Sequence, residues 1–383
     1  MTGTTRRILG AAVATALLTS ALAGTVAGPA LAQGGVNEAA KSHDFEWGTF
    51  TLSQRIIDKA AAGETINIVV TNEGPAIPVY GVEQLIGVNR GCEVNGDRGL
   101  TLNCRLVGPV PGGGGYEAVQ LAELDALFAS DQVDCLGIES HVPDAFVDII
   151  NKYVDAGIPV FTQNTDVPSS KRFAFFALNE RDAGRINGQV TAELVTAQGL
   201  PVTTVALGSG SPEGPWAQDR MGGFAEGFKE TFPEATFKQD EKTGFPTGPT
   251  FETAETIANV GPYLTGNPDV NLFFHSDQGV LGVGTAIKDL GLTGKVWTSG
   301  FNVDQSYLDL MDEGIILVLI NQGFDNQSEA AVRACVDYLV DGVTPADPLA
   351  YVQPVVITKD GGEGRQSSAE ARQHVIEITT PAE

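Results

Sequence analysis

The residues able to do chemistry in this chain are few and scattered. Its four histidines, His43, His141, His275 and His374, stand in no H-E-x-x-H or other metal-ligating spacing. His43 and His374 lie in outlying segments, whereas His141 and His275 each follow a predicted strand. Both are read as loop residues donating to a ligand or to backbone, ahead of a catalytic base. Gly112-Gly113-Gly114-Gly115 lacks the G-K-[ST] ending of a phosphate-cradling loop and the G-x-G-x-x-G spacing of a dinucleotide site. It reads as a strand-to-helix loop. Gly208-Ser209-Gly210-Ser211 falls short of a G-x-S-x-G nucleophile elbow. No positioned base, nucleophile or metal set emerges. The reading is therefore a non-enzyme, with no catalytic residue, metal or cofactor assigned.

The four cysteines divide into two kinds. Cys92 and Cys104 flank the turn-rich stretch Glu93-Val94-Asn95-Gly96-Asp97-Arg98-Gly99 and are expected to pair. Cys135 sits in an apolar run and Cys335 on an amphipathic helix. Both are expected to be buried small hydrophobes, neither bridged nor reactive.

The elements that position these residues alternate in type. Residues 66–71, 100–107, 133–138 and 157–161 read as short apolar strands. Between them, 82–92, 116–130 and 144–156 read as helices, the last carrying Phe146, Ile149, Ile150 and Tyr153 at core-facing intervals. The second half repeats the pattern, with strands over 203–207, 270–274, 295–299 and 315–321. Its helices run over 181–197, 218–231, 253–264, 279–290 and 327–341. Such alternation implies βαβ units and parallel sheets. The fold class is α/β, as two doubly wound parallel-sheet lobes with ligand groups at the carboxyl ends of the strands. Residues 33–63 and 360–383 look peripheral.

Residues 1–32 read as a cleavable export signal. Arg6 and Arg7 precede an apolar stretch over 8–26, and Ala30-Leu31-Ala32 is an A-x-A cleavage site. No cysteine follows that site to take a lipid. Thr5-Arg6-Arg7 hints at twin-arginine export, and the downstream match is poor. The 351 residues left after cleavage exceed one compact core. Loss of two arginines takes the formal charge from −25 to −27. So acidic a chain repels polyphosphate, which argues against nucleic acid as a partner.

From about residue 66 to about residue 358 the chain resembles the type I periplasmic sugar-binding family, the ribose-binding-protein-like solute-binding proteins of ABC transporters. The resemblance is carried by Phe274-His275-Ser276-Asp277 with Gly282, then Gly291 and Gly294-Lys295-Val296. It continues through Ser299-Gly300-Phe301-Asn302, similar to the family's G-F-D motif, and Gly314 with Ile320-Asn321-Gln322, similar to its crossover. Gly342 after a helix resembles the L-x-G ending. Singly these motifs are weak; their order and spacing are strong.

The resemblance implies a ligand set. A sugar offers hydroxyls that donate and accept, together with weakly apolar faces, so a site supplies amides, carboxylates, arginine and aromatic rings. Asn164 stands where many members place an Asp, and Asp166 matches a second acid that also suits a turn before Pro168. Asp277 is either a ligand or the cap of the helix starting near Gly279. Asn302 occupies the motif's Asp position, Phe301 either stacks or packs, and Gln322 lies at the crossover. Gln218 aligns with the family's ligand-binding Arg, and Arg220 with a neighbouring basic position. Trp216 is a stacking platform or a buried anchor. In the first lobe the usual Asn-Pro-Phe-Phe pattern is replaced by Gly74-Pro75-Ala76-Ile77-Pro78-Val79-Tyr80, leaving Asn72 and Tyr80 as candidates. Glu139 and His141 are placed at the cleft rim.

The implied organisation is an N-terminal lobe of 64–178 plus 323–346 and a C-terminal lobe of 179–322 plus 347–359. They are joined by three crossings near Asn179, Gln322 and Asp347. The implied function is capture of a monosaccharide or small polyol outside the membrane, by hinge closure, for delivery to an ABC permease. A monomer is expected. The competing readings are a receptor for an autoinducer-2-like furanose and a chemosensory sugar sensor. A transcriptional regulator sharing the two-lobe core would need a helix-turn-helix where the export signal stands.

Overall fold

The computed structural model describes residues 35–72, 80–109, 116–140, 142–249 and 251–379. The expectations for residues 1–32, for Gly112–Gly115 and for His141 lie outside them. A hairpin of β1 (Ser42–Phe45) and β2 (Gly48–Thr51) leads into α1 (Gln54–Ala61). There follow β3 (Thr65–Thr71), α2 (Tyr80–Val94), β4 (Thr101–Val107) and α3 (Tyr116–Ala129). Next come β5 (Cys135–Ile138), α4 (Val147–Asp155), β6 (Val160–Gln163) and β7 (Phe175–Ala177).

The second series runs α5 (Glu180–Gln198), β8 (Thr204–Ser209), α6 (Pro215–Thr231), β9 (Thr236–Phe237) and β10 (Phe245–Pro246). It goes on through α7 (Thr253–Gly266), β11 (Leu272–His275), α8 (Val280–Asp289), β12 (Trp297–Phe301), α9 (Gln305–Asp312) and β13 (Ile316–Asn321). The chain ends with α10 (Phe324–Asp341), β14 (Leu349–Tyr351), β15 (Val355–Thr358), β16 (Asp360–Gly362), β17 (Arg365–Ser367) and α11 (Ser368–Thr379).

The strands form two separate main sheets. The first is wholly parallel, in the order β14-β7-β6-β5-β3-β4. The second runs β10-β8-β11-β12-β13-β15-β17-β16, with β9 beside β8; its central strands β8, β11, β12 and β13 are parallel. β5, β6, β8, β11, β12 and β13 are buried at every residue. That is why they read as continuous apolar runs and not as alternating ones. In the second sheet Phe273, Ile316 and Leu319 pack to one face, while Leu272, Phe274, Val318 and Ile320 pack to the other. Helices therefore cover both faces, which is the doubly wound arrangement the alternation predicts.

Two helix pairs fix the parts that carry polar side chains. α5 and α6 meet through Gly184, Gly188, Gly223 and Gly227, where an added Cβ would come within 2.0–2.3 Å of the partner's backbone. α2 and α10 meet at Gly87, whose Cβ would lie 2.0 Å from the Asp325 carbonyl oxygen. Any side chain at these positions would force the helices apart.

Three segments depart from the sequence reading. Residues 35–63, of the segment 33–63 read as peripheral, are not so: Phe50, Leu52, Ile56 and Ala60 are buried in the first core, and the Tyr338 hydroxyl donates to the Ala40 carbonyl. Residues 360–379 are not a loose tail: β16 and β17 extend the second sheet, and Ala371 and Val375 of α11 are buried in its core. The third crossing falls later than Asp347. β14 still pairs with β7 of the first sheet, and the chain joins the second sheet at β15 beside β13.

The cysteine expectation is half corrected. Cys92 and Cys104 are bridged, as expected. Cys135 and Cys335 are also bridged, across 200 residues. β5 and α10 pack face to face in the first core, so two buried thiols distant in sequence meet. Among the described residues no cysteine is free, no group of acidic, His or Cys side chains is placed to hold a metal, and no helix is long and apolar enough to cross a membrane.

Candidate functional site: the strand ends of two sheets

Parallel pairing puts the carboxyl ends of successive strands side by side. In the first sheet Thr71 is level with Ile138, and Ile138 with Thr162. Asn72, Glu139 and Gln163, one residue further on, therefore form one polar rim. Asn72 is 0 %, Glu139 0 % and Gln163 1 % exposed, so each needs internal partners. Gln84 of α2 supplies them. Its Oε1 accepts from Asn72 Nδ2 at 3.0 Å and from Gln163 Nε2 at 3.1 Å, and its Nε2 donates to Glu139 Oε2 at 2.8 Å. The other Glu139 oxygen accepts from Asn164 Nδ2. Asn164 reaches it from a left-handed backbone, φ 56°, a conformation that asparagine tolerates better than most residues. Gln120 of α3 braces the rim, donating to the Glu139 carbonyl at 2.7 Å and to Thr71 Oγ1 at 3.2 Å.

The second sheet builds a rim around a cation. Arg220 of α6 is 4 % exposed. Its Nε donates to Glu180 Oε2 at 2.5 Å, its Nη1 to the Ser276 carbonyl at 3.0 Å and its Nη2 to Gln322 Oε1 at 2.7 Å. The guanidinium lies 4.2 Å from the Phe301 ring centre and 5.1 Å from that of Trp216, so both rings engage it. Gln322 Nε2 passes the chain on to Asn302 Oδ1 at 2.6 Å. Asn302 is also left-handed, φ 70°, and follows β12 directly.

Five of the residues named from sequence are thus one cluster: Trp216, Arg220, Phe301, Asn302 and Gln322. Asn72 and Asn164 belong to the first rim, joined through Gln84 and Glu139. Tyr80 packs its ring edge-on against Phe324 at 5.1 Å, beside the second crossing. The remaining three are occupied elsewhere. The Asp166 carboxylate is clasped by Arg172 and by Thr162 Oγ1 and the Val167 N–H. Asp277 accepts from Ser209 Oγ at 3.0 Å, Gly210 N at 2.9 Å and Gly279 N at 3.0 Å, which ties the turn ahead of α8 to the end of β8; α8 itself takes Gly279 as its N-cap, with no side-chain cap. Gln218 donates to the Glu213 carbonyl at 3.4 Å. Phe301 is fully buried, so it packs beneath the guanidinium. Gln84 and Gln163 escaped the sequence reading. Gln84 lies on a helix with no motif around it, and Gln163 had a signal only in its adjacency to Asn164.

Two buried titratable groups flank these rims. His275 lies wholly buried, with Nε2 2.8 Å from Thr247 Oγ1. Burial holds its pKa down, against the pull of Asp277. Glu83, on α2 beside Asp325 and the second crossing, is pushed from 4.5 up to about 8, first by burial and then by Asp325; the Asn321 side chain and the Phe324 backbone pull the other way. A folded pKa above the unfolded one means that the Glu83 contribution is intact below about pH 4.5 and is lost as pH rises through about 8. For His275 the sign is opposite: the neutral form is favoured, so stability is full above the ordinary value of 6.5 and falls on acidification. Glu83→Gln is expected to flatten the alkaline limb of a urea-midpoint profile taken from about pH 5 to about pH 9. An alkaline limb identical to that of the unaltered chain would refute the assignment.

A model of the periplasmic binding protein domain matches residues 68–342. No curated relative matches the chain. Among solved structures, an arabinose-binding protein from Geobacillus stearothermophilus aligns at 24 % identity and a TM-score of 0.62, over 78 % of this chain and 97 % of its own. The sugar-binding protein of a sugar ABC transporter from Bacillus halodurans aligns at 24 % identity and 0.62, over 78 % and 98 %. A solute-binding protein from Burkholderia graminis in complex with D-arabinose aligns at 19 % and 0.61, over 77 % and 96 %. At these identities the likeness is one of fold.

Proposed function

The chain belongs to the periplasmic binding protein domain family, and from that premise we propose that it is an extracytoplasmic solute-binding protein of an ABC importer, capturing a neutral monosaccharide or small polyol between its two sheets. One observation carries the reading. The carboxyl ends of two parallel sheets each present a buried, hydrogen-bonded rim of amides with one anchoring charge, Glu139 in the first and Arg220 in the second. Such rims suit a ligand that is uncharged and rich in hydroxyls. Solved neighbours that include an arabinose-binding protein, a glucose-galactose binding protein and a solute-binding protein with bound D-allose support the same class.

We assign direct ligand contact to Asn72, Tyr80, Asn164, Trp216, Asn302 and Gln322, with Arg220 holding the second rim. Asp166, Asp277 and Phe301 hold the loops and strands behind them. The sheets are joined by chain passing from β7 to α5, from β13 to α10 and from β14 to β15. Ligand docked on one rim gains contacts with the other only when these crossings bend, so ligand shifts the population towards the closed form. A permease then reads closed against open. Residues 1–32 serve export and are removed, leaving the mature protein as a monomer outside the membrane.

The test is a thermal-shift panel on the mature chain with D-glucose, D-galactose, D-xylose, D-arabinose, D-ribose, D-allose and small polyols. A ligand at 100 times its Kd stabilises a folded protein by about 2.7 kcal/mol. At least one member is expected to shift the transition, and Asn302→Ala or Gln322→Ala to weaken its binding by roughly tenfold or more. A folded, ligand-free protein that responds to none would overturn the proposal.

A further inference from the structure

We propose that Gln84 is a positioning residue that turns the amides of the first rim acceptor-outward, so that this rim takes the hydrogen-bond-donating edge of the ligand. This rests on the reading of the strand ends as a sugar site. A carboxylate oxygen only accepts. Both oxygens of Glu139 accept N–H groups, one from Gln84 and one from Asn164. Gln84 must therefore face Glu139 with its NH₂ end, which puts its Oε1 at the far side. That oxygen can be satisfied only by donors, and Asn72 and Gln163 supply them with their own NH₂ groups.

Gln163 thus turns its nitrogen towards Gln84 and has its oxygen left over. Gln163 Oε1 is buried and accepts nothing within the protein. Flipping Gln84 would set its oxygen against a carboxylate and its N–H groups against two others. One carboxylate therefore fixes the direction of Asn164 directly and of Asn72 and Gln163 through Gln84.

The second rim has the opposite sense, set by the guanidinium. Arg220 donates to Gln322 Oε1, Gln322 Nε2 donates to Asn302 Oδ1, and Asn302 Nδ2 is left as a donor. A ligand between the rims meets acceptors on one side and a donor on the other. A hydroxyl satisfies either side. A protonated amine, which only donates, satisfies only the first, and fluorine, which cannot donate, fails there.

The experiment titrates the unaltered mature chain with whichever of the six monosaccharides above binds most tightly, then with its monodeoxyfluoro and monoamino analogues, one position at a time. At one or more positions the fluoro analogue is expected to lose roughly tenfold or more while the amino analogue keeps the parent's affinity. In Gln84→Met the fluoro-to-amino ratio at those positions is expected to collapse towards one. A purely structural role would weaken both analogues alike and leave the ratio standing. The wild-type series decides the polarity even if that variant does not fold. If fluoro analogues are tolerated and amino analogues rejected at every position, or if both are lost equally, the polarity is wrong although sugar binding stands. Binding of none of the six parents removes the sugar reading itself, and this inference with it.

Discussion

A chain carrying Cys135→Ala and Cys335→Ala is expected to lose about 2–5 kcal/mol of stability, more than most single substitutions cost. The bridge joins residues 200 apart, and both half-cystines are fully buried. Closing so long a loop restricts the unfolded chain far more than the 12-residue closure by Cys92 and Cys104. The chain-entropy estimate is about 5 kcal/mol for the long loop and about 3 kcal/mol for the short one. The long bridge also ties β5, whose end carries Glu139, to α10, which begins at the second crossing. A urea titration of the double variant against the unaltered chain measures the effect. An unchanged midpoint at unchanged slope would contradict the bridge, and a greater loss on removing the short one would contradict the loop-length argument.

Arg220→Met is expected to cost about 3–5 kcal/mol and to abolish solute binding together. The three donating nitrogens serve Glu180, the Ser276 carbonyl and Gln322, and the plane of the guanidinium lies against Phe301 and Trp216. Methionine fills part of the volume and leaves the Glu180 carboxylate, 18 % exposed at its side chain, without its partner. Lysine restores the charge without the planar fork, so Arg220→Lys should recover part of the stability and little of the binding. Unfolding midpoints of the two variants, with titration of whichever sugar the unaltered chain binds, separate these outcomes. A methionine variant that bound sugar normally would show that the second rim lies elsewhere.

Much of this architecture was legible because parallel strands covered on both faces are mostly apolar along their length. Runs such as Ile66-Asn67-Ile68-Val69-Val70 and Val270–Phe274 announce themselves, and β3 and β11 form there. Short or exposed elements did not. β7 is three residues inside the short apolar run 173–178, and α9 spans only eight, so neither is long enough to stand out as an element. The hairpin β1–β2 and helix α11 contribute few apolar residues each and looked loose. Phe50 and Val375 are nonetheless buried, because a ready-made core receives them. The long disulfide was hidden for a related reason: β5 and α10 become neighbours only when the sheet assembles.

The site was legible where motif order marked it and obscure where a lone helix supplied the residue. Phe301, Asn302 and Gln322 were named from strand-end motifs, and Arg220 from its neighbourhood. Gln84 has the look of an ordinary polar residue on a helix. Its role follows only from three partners arriving at the ends of β3, β5 and β6. Asp166 and Asp277 illustrate the converse. Acids beside a site attract a ligand reading, yet their oxygens are taken by Arg172 and by the backbone and hydroxyl donors of the neighbouring turns.

In the proposed function two rims close over one neutral, hydroxyl-rich ligand. Small-angle X-ray scattering of the mature chain, with and without the sugar that binds it most tightly, tests this most directly. The radius of gyration is expected to fall at saturating sugar, and Gln322→Ala to need roughly tenfold more sugar or more for the same fall. A radius that does not change while sugar is bound would contradict closure between the two sheets.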